Sequence, residues 1–178
     1  AYRMARLTMP GRQLSIDFEV TPTSHALEAY RARGGYATLE KALRTMQPAD
    51  ITKEVTASGL LGHGGAAFPV GRKWGVMKPI PGETHYLCAN ADEGEPGTFK
   101  DRVLLTSYTD LVFEGMCIAG LVVGAQKGLI YLRGEYRYLL EPLEAILQRR
   151  RVANLLGNGI CGQPGFGFVI CIPVGSGR

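Results

Sequence analysis

Several chemistries are excluded by what this chain lacks. Its four cysteines, Cys88, Cys117, Cys161 and Cys171, show no C-x-x-C spacing and lie in apolar surroundings. They read as small core residues in a reducing compartment, not as a metal site. No run approaches the roughly 18 apolar residues of a membrane span, and no N-terminal stretch has the apolar centre of a secretory signal. We therefore expect no direct membrane insertion and a cytoplasmic protein, peripheral to a membrane complex only through partners. Gly-Lys-Ser and Gly-Lys-Thr are absent, which excludes a P-loop. The formal charge of +4 is spread along the chain without a basic stripe interleaved with aromatics, so no nucleic-acid partner is expected. Arg149, Arg150 and Arg151 form the one dense basic cluster, placed where cations offset the dipole at a helix C-terminus.

What is present is glycine in one place. Residues 59–74 read GLLGHGGAAFPVGRKW. Backbone without a Cβ can take positive φ and bring its amides close to an anion, and Arg72 and Lys73 follow with positive charge. The same spacing also suits a plain flexible connection. Gly62, Gly64 and Ala67 satisfy G-x-G-x-x-G/A, but a dinucleotide turn needs a strand before it and a helix opening at its end. The preceding residues look helical and Pro69 stands where the next helix would run, which argues against a Rossmann turn.

With 178 residues and 46% hydrophobic content, the chain can bury one core and reads as one domain. Residues 1–22 form an extended arm in which Leu14, Ile16, Phe18 and Val20 alternate. Residues 23–58 form a helical lead-in of three short helices. The first is capped by Thr23 or Ser24 and stops at Gly34-Gly35, the second covers Tyr36 to Met46, and the third begins at Pro48. The core is then 59–178. Within it, His85 to Ala89 reads as a buried strand, followed by the acidic turn Asn90 to Arg102, NADEGEPGTFKDR. Carboxylates just past a strand lie where open α/β sheets bind ligands, though a solvated acidic loop has the same composition. A helix follows from Tyr108 to Gln126, with Leu111, Met116, Ala119 and Val123 on its packing side and Gly115, Gly120 and Gly124 marking close contact with a sheet. Then come a strand, Gly128 to Arg133, a helix from about Arg137 to Arg151, and a strand, Phe166 to Val174. Strands apolar on both faces, alternating with helices, predict an α/β fold: three layers, a mostly parallel sheet with right-handed crossover helices. That order puts Asn90 to Glu95, Gly134-Glu135 and Gly175 to Arg178 on one edge of the sheet.

Taken together, GLLGHGGAAFPVGRKW, CANADEGEPGTFKDR, YLRGEY and the closing GSGR resemble the flavin-bearing, NADH-oxidising subunit of respiratory complex I. They also resemble its relatives, the diaphorase subunits of NAD-reducing hydrogenases and NAD-dependent formate dehydrogenases, and NADEGEPGTFKDRVLLT looks more like this branch than the complex I branch. The motifs span most of residues 30 to 178 in the family's order. The resemblance implies an FMN-binding Rossmann-like domain, with hydride passing from NADH to FMN and other subunits of an electron-transfer complex as partners, an iron-sulfur small subunit among them. By resemblance, Gly62, His63, Gly64, Gly65 and Ala66 would wrap the flavin and Lys73 would reach FMN. Asn90, Asp92, Glu93 and Gly94 would line its ribityl chain or ring, Phe68 would stack on adenine, and Glu95 would lie near the nicotinamide. The flavin performs the chemistry, so no side chain is expected to act as a general acid or base.

The chain departs from the family at three positions. Leu61 and His63 stand where arginines are usual, and an unperturbed imidazole, with a pKa of about 6.5, mostly lacks their charge at neutral pH. Ala67 stands for a glycine. The family also continues into a Tyr-Ile-Cys-Gly-Glu-Glu segment, a ubiquitin-like domain and a helical domain that holds an iron-sulfur cluster. The sequence therefore resembles the first portion of the subunit. An alternative expectation is a truncated or degenerate homologue that serves as a non-catalytic assembly module, and a generic mononucleotide binder is a third.

Overall fold

The computed structural model describes residues 26–62, 66–77 and 83–176. The extended arm and the candidate caps Thr23 and Ser24 lie outside the described residues, as do His63, Gly64 and Gly65. Three short helices lead in: α1 (Leu27–Ala32), α2 (Ala37–Thr45) and α3 (Pro48–Ala57). Apolar residues at helical spacing turn one side inward, burying Leu39 and Ala42 on α2 and Ile51 on α3. Proline opens α3 because the first helical turn has no use for its missing N–H. A fourth helix, α4 (Val70–Val76), starts directly after Pro69, so that proline caps a helix where the sequence pattern predicts an obstruction. The element before the loop is still α3 and not a strand, and the dinucleotide turn stays excluded on that ground.

The core is a parallel sheet in the order β1 (Tyr86–Ala91), β2 (Lys127–Leu132), β3 (Val169–Cys171). Asn90 pairs with Tyr131 and Leu129 with Cys171. The last strand is shorter than expected because Pro173 offers no N–H to the ladder. Pairing resumes beyond it, where Gly175 donates to the Leu132 carbonyl at 2.8 Å.

Between β1 and β2 run α5 (Lys100–Ser107) and α6 (Thr109–Val123), which meet at a 94° bend. No single helix among the described residues is long and apolar enough to cross a membrane. Helix α5 has no signature in the sequence: Val103, Leu104 and Leu105 are consecutive, so its apolar residues show no helical period. Its first turn takes Asp101 out of the acidic turn. Of the three α6 glycines expected to touch the sheet, Gly120 alone does so, where a Cβ would come within 2.6 Å of the Phe168 ring. Gly124 ends the helix at φ 69°, and Gly115 faces open space. Leu111 is exposed, whereas Met116, Ala119 and Val123 are buried as expected. After β2 a 3₁₀ turn, Gly134–Leu139, leads into α7 (Leu140–Val152).

The α/β class, the parallel sheet and the crossover helices are as expected; the cover of the sheet is not. Strands in sequential order joined by right-handed crossovers receive their helices on one face. Gly128, Ile130, Leu132 and Ile170 are buried there. On the opposite face Tyr86, Cys88, Tyr131, Val169 and Cys171 are exposed. The described residues thus supply one helical layer and the sheet, and the strands are not buried on both faces. For the same reason Cys88 and Cys171 are not core residues, while Cys117 is.

A buried polar hub joins the lead-in helices to this core. Glu114 of α6 accepts the Tyr30 hydroxyl at 2.6 Å and the backbone N–H groups of Tyr36 and Leu39 at 2.9 and 3.1 Å, so it caps α2 from another helix. Asp110 accepts the Tyr36 hydroxyl at 2.6 Å and a two-point ion pair from Arg150 at 2.6 and 2.5 Å. Burial, reinforced by these carboxylates, pushes both tyrosine hydroxyls far above their usual pKa. Arg150 is therefore an interior ion-pair partner, a correction to the reading of the basic cluster as a helix-end cap.

Candidate functional site

The site gathers at the carboxyl ends of the strands. Arg133 N–H donates to the Ala91 carbonyl at 3.1 Å, and Gly175 hydrogen-bonds to Leu132. This edge therefore unites the acidic turn, the Gly134-Glu135 segment and the approach to the chain's last described residues.

Within the acidic turn the neighbouring carboxylates differ in kind. Asn90 is exposed at the end of β1, and its side-chain oxygen accepts the Asp92 amide at 2.9 Å, which bends the chain. Asp92, Gly94 and Glu95 are exposed. A tight turn follows at Pro96-Gly97, where Gly97 takes φ 84° and Thr98 returns its amide to the Glu95 carbonyl at 3.2 Å. Glu93 alone turns inward and is only 5% exposed. Its Oε1 accepts the Asp101 amide at 3.1 Å, in the first turn of α5, and its Oε2 accepts the Tyr136 hydroxyl at 2.9 Å. An Arg133 guanidinium N–H donates to the Glu93 carbonyl, and the same guanidinium makes a two-point pair with Glu135 at 2.7 and 2.9 Å. Burial alone would raise the Glu93 pKa. The bonds from Asp101 and Tyr136 outweigh it and hold the carboxyl below its ordinary range.

The glycine-rich loop is closed at its base by an antiparallel bridge between Leu61 and Pro69. Gly62 N–H donates to the Phe68 carbonyl at 2.8 Å and Val70 N–H to the Leu60 carbonyl at 3.0 Å. The Gly62 amide is thus paired inside the loop. Ala66 and Ala67 are exposed, and Ala67 has φ 48°. Gly71 is a packing requirement: a Cβ there would sit 2.1 Å from the Thr56 hydroxyl, so α4 lies close against α3. That packing turns Arg72 and Lys73 to solvent. Phe68 is 46% exposed, with the Arg72 guanidinium 5.7 Å from its ring centre. Helix α6 touches both α4 and β1 and is the common support of the loop and the acidic turn.

Sequence reasoning does not single out Arg133 and Tyr136 as site residues. They stand 40 and 43 positions from Glu93, and no local spacing signals a contact of that range. The YLRGEY motif is the one sequence signal that marks their segment.

An acidic turn at the carboxyl ends of a parallel sheet stands where open α/β sheets bind ligands, and α6 also supports the helix that carries Arg72 and Lys73. Residues 55–170 match the family described as the Nuo51 FMN-binding domain. The chain is 41% identical over 156 residues to an NADH-quinone oxidoreductase subunit of Rhizobium meliloti (strain 1021), covering 88% of this chain and 37% of that protein. It is 45% identical over 148 residues to the NAD-reducing hydrogenase HoxS subunit alpha of Cupriavidus necator, covering 83% and 25%. It is 39% identical over 178 residues to the NADP-reducing hydrogenase subunit HndC of Solidesulfovibrio fructosivorans, covering 98% and 35%. Among solved structures, an NAD+-reducing [NiFe]-hydrogenase in the H2-reduced state superposes with TM-score 0.62 at 43% identity, over 74% of this chain and 21% of that one. The chain belongs to the Nuo51 FMN-binding domain family, and it spans well under half the length of each of these relatives.

Proposed function

We propose that the chain forms the FMN- and NADH-binding α/β unit of an NADH-oxidising flavoprotein, with residues 23–58 as helical lead-in and 59–178 as nucleotide-binding core. The observation that carries it is the acidic turn at the carboxyl end of β1, which exposes Asn90, Asp92 and Glu95 while Glu93 is locked inward. Family membership supports the reading. The donor set fits FMN by charge. Carboxylate and amide oxygens of Asp92 and Asn90 would accept from ribityl hydroxyls, and the negative charge of Asp92 would disfavour a phosphate beside it. The cations Lys73 and Arg72 would hold the phosphate instead, with the backbone of the glycine-rich loop around the flavin. Phe68 would stack on adenine, and Glu95 would lie near the nicotinamide. When bound, the flavin would supply the hydride acceptor, and the protein would orient the two partners.

In the parent assembly the unit passes electrons to other subunits, beginning with an iron-sulfur protein, and the cluster lies outside this stretch. The test is direct. Protein loaded with FMN shows oxidised-flavin absorbance that bleaches on adding NADH, and Lys73→Ala weakens FMN binding at least tenfold, the scale of one charge-assisted contact of roughly 1.5–3 kcal/mol. Protein that stays colourless at saturating FMN overturns the reading.

A further inference from the structure

The run Asp92-Glu93-Gly94-Glu95 carries three carboxylates, and something must decide which of them face outward. Asp92 directly precedes Glu93 and is exposed where Glu93 is buried, so pinning Glu93 inward keeps Asp92 out, while Glu95 is carried outward by the bend into the Pro96-Gly97 turn. Glu93 is the pinned one, and the pin comes from a different part of the chain: the Tyr136 hydroxyl and the Arg133 guanidinium, both just past the end of β2. We infer that Tyr136 and Arg133 are positioning residues which, by locking Glu93 inward, present Asp92 to the cofactor and thereby set FMN affinity. This rests on the proposed FMN site, but the lock itself does not.

The surroundings of Glu93 explain why the lock holds and what would release it. Asp101 N–H and Lys100 approach from α5. Tyr136 approaches from the 3₁₀ turn, and Arg133, itself paired with Glu135, from the end of β2. Arg102 adds a more distant positive charge that acts on Tyr136. A buried carboxylate needs these donors in its ionised form. When protonated it can no longer accept from both Asp101 and Tyr136 as strongly, and the turn is freer to slip by one residue. Loss of the Tyr136 hydroxyl should therefore loosen the turn at every pH and move the acid weakening of FMN binding to higher pH.

The experiment compares wild type, Tyr136→Phe, Glu93→Gln and, as a neighbouring control, Tyr138→Phe at an exposed position of the same 3₁₀ turn. Amide hydrogen exchange of residues 92–98 is read in the FMN-free protein, and FMN affinity is titrated from about pH 7 down to about pH 3, a span that passes below the ordinary glutamate pKa of about 4.3. We expect Tyr136→Phe to speed exchange of 92–98 about tenfold, the scale of one hydrogen bond to a charged group, while α6 amides and Tyr138→Phe stay at wild-type rates. FMN affinity should fall several-fold, most at the acid end. Glu93→Gln should fall similarly but lose the pH dependence. Unchanged exchange in Tyr136→Phe overturns the lock. Faster exchange with unchanged FMN affinity and pH profile overturns the positioning role and leaves a purely structural contact. Wild-type protein that takes up no FMN at any pH overturns the proposed function and the positioning role with it, while the exchange data still report on the lock.

Discussion

Ala67 sits at φ 48°, where its methyl group crowds the following carbonyl. The left-handed conformation costs an L-residue with a Cβ about 1–2 kcal/mol. Ala67→Gly should therefore stabilise the fold by about 1 kcal/mol after the greater freedom of glycine in the unfolded chain is subtracted. For a chain of this size the midpoint of thermal unfolding should rise about 2–4 °C; an unchanged or lower midpoint would contradict the strain. Glu93 makes a prediction with a sign that depends on acid. Its folded-state pKa lies below its unfolded value, so the folded form binds the proton less readily. Its contribution is complete above the ordinary glutamate pKa of about 4.3 and is lost as pH falls through the depressed folded value. In urea melts from about pH 7 down to about pH 3, wild type should lose its stability advantage over Glu93→Gln below about pH 4.5, and the two curves should converge.

Between elements, the strongest link is the pair of α6 carboxylates. Asp110 and Glu114 are almost fully buried, and Arg150 is buried with them. Asp110→Ala removes the two-point partner of an interior guanidinium, a change that costs about 3–5 kcal/mol because the charge stays buried. Replacement of Glu114 instead frees the start of α2, where Tyr36 is itself held at φ 66°. We expect Asp110→Ala to lower the urea midpoint of the whole chain and not of the lead-in alone, since α6 and α7 share the pair. A separate early transition confined to residues 26–57 would show that the lead-in folds by itself.

At the scale of the whole sheet, strand order leaves one face without a helical layer among the described residues. Cys88 and Cys171 lie on it, while Cys117 is fully buried and its thiol pKa is pushed up by burial. A thiol reagent applied to the native protein should label Cys88 and Cys171 first and Cys161 more slowly, with Cys117 protected until the chain unfolds. Mass spectrometry of peptides after timed labelling reads the order; early labelling of Cys117 would mean that the α6 packing is not closed.

Read alone, the sequence determined the elements and the motif positions. Helical spacing located α2 and α3, the apolar runs located β1 and β2, and the alternation of strand and helix required a parallel sheet, because those signals are local and short. The acidic turn and glycine-rich loop were visible as composition. Only the tertiary structure decided which side of each element is wet. Tyr86 and Cys88 look as apolar as Ile130 and Ile170, but strand order leaves their face open. It also decided the fate of charge: Arg150, Asp110, Glu114 and Glu93 have nothing in their local sequence to mark them as interior. Each is buried because a partner between 40 and 84 residues away satisfies it, and distance along the chain carries no record of such contacts.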